Sequence, residues 1–167
     1  DEAKKAGIYD KLTERVIEIA LESIDKHNIE LSINLEYSDI NNDNTMNILY
    51  KSLKANKDIA DKLILELTEV EEMTDYKKVA EFIEHVQSLG VKVYKDDFGT
   101  GYSNFDSVAK LNLDGIKIDG SIIKEVNTDR RNYITLKHIM NLAKEFNTTT
   151  IAEFVEDRDI LITLNSM

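Results

Sequence analysis

The sequence contains no cysteine, which excludes disulfides and thiolate metal sites and fits a reducing compartment. It also lacks any apolar run approaching the roughly 20 residues needed to cross a bilayer, and its first residues do not have the form of a signal peptide. The expectation is a soluble, cytoplasmic domain without direct membrane insertion, any tether of a parent protein lying outside it. Basic residues are scarce: 21 Lys and Arg stand against 32 Asp and Glu, a formal net charge of -11. So acidic a surface repels DNA and RNA backbones, and a phosphate ligand here needs metal ions or a local basic group. Proline is absent too, and no function follows from that. At 167 residues the chain can bury one good core, so a single domain spanning 1–167 is expected.

What is present alternates regularly. Lys11 to His27 carries Leu12, Val16, Ile17, Ile19, Ala20, Leu21 and Ile24 at the 3.6-residue spacing of an amphipathic helix. Leu31 to Leu35 alternates apolar residues with Ser32 and Asn34 and predicts a short strand. A polar turn at Asn42 leads into a helix running to Lys57, followed by a strand over Lys62 to Leu67. Glu66 sits inside that apolar run, a costly placement unless the carboxylate has a partner. Asp75 to Leu89 repeats the helical stripe and Gly90 stops it. The strand Val91 to Lys95 then runs into Asp96 and Asp97 and a loop with glycines at 99 and 101. A short helix over Asn104 to Leu111 comes next, then a fourth strand, Asp114 to Asp119, in which Lys117 and Asp119 share a face. A helix from about Asp129 to Phe146, a fifth strand from Thr149 to Ala152 ending in Glu153, and a helix over Glu156 to Asn165 complete the chain.

Strand followed by helix throughout predicts an α/β fold with a parallel sheet and right-handed crossovers. An open doubly wound sheet and a barrel both place ligands at the carboxyl ends of the strands. Every strand here ends in polar or charged residues: Asn34, Glu66, Asp96 with Asp97, Lys117 with Asp119, and Glu153. A full eight-unit barrel takes about 250 residues; this chain opens on helix and supplies about five strands, so a barrel would be an incomplete one.

Carboxylate and amide oxygens with no Cys or His among them suit hard cations such as Mg²⁺, Mn²⁺ or Ca²⁺. Asn34, Glu66, Asp96 and Asp97 are the candidate ligands, and a bridging Asp would hold two ions about 3.5–4 Å apart, as in two-metal phosphodiester chemistry. Lys117 is the candidate to activate a water and stabilise charge on a transferring phosphate, with Glu153 as a further ligand or base. His27, His85 and His138 fall on separate helices without metal-ligand spacing, and the stretch Asp39 to Asp43 lacks the central Gly and closing Glu of a calcium loop.

Five motifs in order, Asn34-Leu35, Glu66-Leu-Thr-Glu69, Asp96-Asp-Phe-Gly-Thr-Gly-Tyr-Ser103, Ile116-Lys-Ile-Asp119 and Ala152-Glu-Phe-Val-Glu156, make the chain resemble the EAL-type cyclic di-GMP phosphodiesterases. The third motif is highly specific; the others are short. The resemblance implies an incomplete TIM-like (β/α)₈ barrel and hydrolysis of cyclic di-GMP to linear pGpG with two Mg²⁺ or Mn²⁺ ions. It further implies Asn34, Glu66, Asp96 and Asp97 as metal ligands, with Asp97 shared by both ions. By the same resemblance Lys117 activates the water, Glu153 is another metal-site acid, Glu69 supports the loop from Phe98 to Ser103, and Asp119 and Glu156 stand behind these.

The chain departs from the pattern in several places. The Glu-Ala-Leu segment and the last strand with its Gln-Gly are absent, which reads as a barrel cut at both ends. Lys95 stands where an aliphatic residue is usual, Phe154 replaces a Gly, and Glu36 a Ser. The expectation is an active parent with this fragment alone nearly inactive. The alternative is a non-catalytic domain that binds cyclic di-GMP, and a third possibility is a structural remnant. Strand edges left open at both ends predict self-association into a homo-oligomer.

Overall fold

A computed structural model of the chain describes residues 2–68, 75–99 and 108–167. Five parallel strands alternate with helices: β1 (Leu31–Glu36), β2 (Leu63–Thr68), β3 (Lys92–Phe98), β4 (Gly115–Ile118) and β5 (Thr149–Ala152). Their order in the sheet is that of the chain, β1-β2-β3-β4-β5. The helices are α1 (Glu2–Lys5), α2 (Tyr9–His27), α3 (Tyr37–Ile40), α4 (Asp43–Ala55), α5 (Tyr76–Ser88), α6 (Gly120–Lys124), α7 (Arg130–Glu145) and α8 (Arg158–Asn165), with a 3₁₀ segment at Lys57–Lys62. Of the helix expected over 104–111, backbone is described from 108 onward and is helical at 108–110. Among the described residues no helix is long and apolar enough to cross a membrane. The chain divides into two compact units, Asp1–Val93 and Tyr94–Met167.

In the first unit β1 and β2 pair in parallel, Leu31 against Leu63 through Glu36 against Thr68. β2 buries Leu63, Leu65 and Leu67 on one side and Glu66 on the other, as a strand covered on both faces does. α2 contributes Ile17, Ala20, Leu21 and Ile24 to the core, α4 Leu49 and Leu53, α5 Val79, Ile83 and Val86. Each of these is worth about 1.5–3 kcal/mol of transfer free energy, Ala less. Asn42 caps α4 by accepting from the Asn44 and Thr45 N–H groups. Its amide and that of Asn44 donate in turn to Asp10 in the first turn of α2, at 3.1 and 2.7 Å, which fixes α2 against the start of α4. α3 was not expected from the pattern. It is one turn held by a reciprocal cap: Glu36 accepts from the Asp39 N–H, and Asp39 Oδ2 accepts from the Glu36 N–H at 2.9 Å.

In the second unit β4 pairs with β5 from Gly115 against Thr149 to Ile118 against Ala152. β3 meets β4 at Tyr94 against Gly115 and Lys95 against Ile116, then at Phe98 against Ile118. Three steps along β3 therefore span two along β4, which is a β-bulge carrying Asp96 and Asp97. The strand runs three residues beyond its expected end at Lys95. Phe98, Ile116, Ile118, Ile123, Leu136 and Ile139 are fully buried. Lys95 is 2 % exposed and does not lack a partner. α6 was also unexpected; Asp119 caps it by accepting from the Ser121 N–H at 2.8 Å.

Candidate metal and phosphate site

The site is built at the carboxyl ends of β3, β4 and β5. Asp96 and Asp97 are neighbours in sequence, and in a regular strand neighbours face opposite sides of the sheet. The bulge and the left-handed backbone of Asp97, φ 49°, turn both toward one side. One oxygen each of Asp96, Asp97 and Glu153 then lie within 4.8 Å of one another. Glu153 is placed by the end of β5, its N–H donating to the Ile118 carbonyl at 3.2 Å. Lys117, from β4, donates from Nζ to Asp96 Oδ1 at 2.9 Å and to Glu153 Oε1 at 2.8 Å. These three side chains are only 14–21 % exposed.

The ammonium compensates two of the three acids, and Asp97 carries the remaining strain. Partial burial, then the charges of Asp96, Asp119 and Glu153, then a hydrogen bond to Asp119 all raise its pKa above the usual carboxylate value. Asp119 moves the other way. Burial alone would raise it, but bonds from the Ser121 hydroxyl and N–H, from Asp97 and from the Gly120 N–H outweigh burial and hold it low. The bond between Asp97 and Asp119 thus raises the one and lowers the other. Three crowded carboxylates, one of which resists ionisation, with no softer donor among them, form an acidic group able to hold a hard divalent cation.

The other expected residues fall as follows. Asn34 and Glu66 lie in the first unit, directly paired in register on β1 and β2; Glu66 is 8 % exposed and Asn34 exposed. Glu156 pairs with Lys124 of α6 at 3.2 Å. Glu69, and the loop it is expected to support beyond Gly99, lie outside the described residues. Sequence reasoning passed over Ser121, Gly120 and Lys124. The signal available for the first two was Asp119-Gly-Ser, a capping residue ahead of a helix start.

Compared with known proteins, the chain matches the family model of the EAL domain over residues 1–167. It is 30 % identical over 139 residues to the cyclic di-GMP phosphodiesterase PdeA of Borreliella burgdorferi, covering 83 % of this chain and 21 % of that protein. It is 36 % identical over 98 residues to the cyclic di-GMP phosphodiesterase PdeF of Escherichia coli, covering 59 % and 13 %. The chain therefore spans about a fifth or less of the length of these relatives. Among solved structures, an EAL domain protein from Listeria monocytogenes superposes with a TM-score of 0.90 at 27 % identity, over 99 % of this chain and 67 % of that one. The PaMucR phosphodiesterase in its c-di-GMP complex superposes with a TM-score of 0.84 at 26 % identity, over 98 % and 69 %. This chain belongs to the EAL domain family.

Proposed function

We propose that the chain is the core of a phosphodiesterase domain that hydrolyses cyclic di-GMP to linear pGpG with Mg²⁺ or Mn²⁺. The observation that carries this reading is the convergence of Asp96, Asp97 and Glu153 around Lys117. Asp96, Asp97 and Glu153 would hold the cations. By resemblance Asn34 and Glu66 are assigned the same role, and Glu69 the support of the loop after Phe98. Bound divalent ions supply neutralisation of phosphate charge and a more acidic water.

The protein's own groups do the rest. Lys117, with two donors committed to Asp96 and Glu153, orients the attacking water with its third and stabilises the phosphorane-like charge. Water adds at phosphorus through its oxygen, one P–O3′ bond breaks, and the proton that the water gives up ends on the departing 3′ oxygen. Asp97 would hold a cation as the carboxylate, as any ligand carboxyl must, and Asp119 keeps its side chain aligned. Assays of the full-length protein with Mg²⁺ or Mn²⁺ decide the matter: no linear product at any metal concentration sinks the enzymatic reading.

A second reading, cyclic di-GMP binding without hydrolysis, draws on Phe154 beside Glu153 at a φ of 52°. Calorimetric binding with no turnover favours it. Self-association into a homo-oligomer belongs to the same proposal; a monodisperse monomer in sedimentation counts against it.

A further inference from the structure

Phe154 follows Glu153 directly and, for a large apolar residue, is unusually exposed, at 60 %. Its backbone lies at φ 52°, a left-handed conformation that costs an aromatic residue free energy. Two contacts place the side chain. A Cβ on Gly120 would come within 2.4 Å of Phe154 Cδ2 and 3.0 Å of Cγ, so the ring fills the space that a glycine alone leaves. Lys124 Nζ stands 4.4 Å from the ring centroid, and that ammonium is itself paired with Glu156 at 3.2 Å. The ring is thus seated by two residues of α6, while Phe154 as a whole is well exposed.

The position matters because both segments that seat the ring come from the acid cluster. Glu153 precedes Phe154, and Gly120 follows Asp119, whose carboxylate is bonded to Asp97. A ligand with its phosphate at Asp96, Asp97 and Glu153 would have Phe154 one residue along the chain from one of the groups that hold it. An oriented, exposed aromatic offers a flat face, and a nucleobase is the flat group attached to a nucleotide phosphate. We infer that Phe154 is a stacking platform for one purine base of the substrate, with Gly120 and Lys124 fixing the ring. The inference rests on the reading of the site as one for a cyclic dinucleotide.

The test uses the full-length protein, cyclic di-GMP and Mn²⁺, with Phe154→Gly, Phe154→Trp and Gly120→Ala. Glycine suits a φ of 52° better than any other residue, so Phe154→Gly removes the ring without injuring the backbone. Its Kd by calorimetry and its KM are expected to rise about five- to a hundredfold, with kcat and Mn²⁺ half-saturation within about twofold. Phe154→Trp retains wild-type affinity, and Gly120→Ala, which displaces the ring, follows Phe154→Gly. A Phe154→Gly protein with unchanged Kd and KM overturns the platform and leaves the phosphodiesterase reading standing. A loss confined to kcat or to Mn²⁺ affinity overturns it in favour of a positioning role. Wild-type protein that binds without turnover, its Kd weakened by Phe154→Gly, supports the platform and removes only the hydrolysis. Wild-type protein that binds no cyclic di-GMP overturns both.

Discussion

Replacing Lys117 by Met removes the charge at the centre of the acid cluster while keeping most of the apolar stem. Its Nζ lies 2.9 and 2.8 Å from Asp96 and Glu153. At an effective dielectric constant of about 20, each pair has a gross Coulomb attraction of about 6 kcal/mol. Desolvation of the ammonium and both carboxylates offsets most of that, so the net worth of the amine is far smaller. What the substitution leaves behind decides the outcome: three carboxylates within 4.8 Å of one another without their lysine. Exposed pairs contribute about 0–1 kcal/mol and breaking fully buried ones costs about 3–5. Side chains 14–21 % exposed fall between, and a loss of about 1–3 kcal/mol is expected. Thermal unfolding without metal should then fall by about 2–10 °C for a chain of this size.

A divalent cation replaces the missing ammonium, so Mn²⁺ should raise the melting temperature of the variant by more than that of the wild type. In parallel assays of cyclic di-GMP hydrolysis, kcat should fall about 10²–10⁴-fold with the water-orienting, charge-stabilising ammonium gone. A variant as stable as the wild type without metal, and no more responsive to Mn²⁺, would refute the coupling of these acids through Lys117. Undiminished kcat would refute its role with the water.

Three further substitutions test other parts of the structure. The folded-state pKa of Asp97 is raised, so the stability linked to its proton is full below the usual 3.8 and lost as pH rises through the folded value. Asp97→Asn escapes that loss and tolerates φ 49° well; it should melt above the wild type at pH 7, lose this advantage on acidification toward pH 3.8, and bind Mn²⁺ more weakly. Equal melting at both pH values contradicts this. Gly115→Ala puts a Cβ 2.6 Å from Cε2 and Cζ of the buried Tyr94 and should cost about 1–3 kcal/mol in urea denaturation; an unchanged midpoint argues against that packing. Tyr9→Phe removes a bond donated to Asp39 Oδ2 at 3.1 Å, worth about 0.5–1.5 kcal/mol at pH 7. Burial, then the bond and charge of Asp39, raise the Tyr9 hydroxyl above its usual 10.0, so this stability is present below pH 10 and lost as pH rises further. Wild type and variant should converge in alkaline denaturation, and a difference that grows with alkali rules the account out.

The strands and long helices were legible because burial writes their periods into the sequence. Val79, Phe82, Ile83 and Val86 recur at helical spacing and are the buried residues of α5; Thr149 to Ala152 is a strand from end to end as expected. The elements that sequence reading passed over are too short to show a period. α3 has four residues and rests on the reciprocal bonds of Glu36 and Asp39; α6 has five and rests on the cap from Asp119. Both are held by polar side chains at their first turn, so their signal is a cap and not a stripe.

The candidate site marks a different limit. Residue types alone put Asp96 and Asp97 at a strand end, and alternation would then have sent them to opposite faces. Their convergence depends on one extra residue in β3 and on the left-handed backbone of Asp97, neither of which follows from side-chain identity. Among the described residues four that are not glycine take positive φ: Asn28, Asp97, Asn147 and Phe154. The two asparagines stand just past α2 and α7, where such a conformation is common and readable. Asp97 and Phe154 stand instead where β3 and β5 hand the chain to the site, and Phe is a residue from which no left-handed turn would be inferred. The bond to Asp119 holds the first, and Gly120 and Lys124 of α6 hold the second. The least legible positions are thus those where tertiary packing overrules local propensity; one belongs to the acid cluster and the other adjoins it in sequence, which is where strained backbone is expected to serve function.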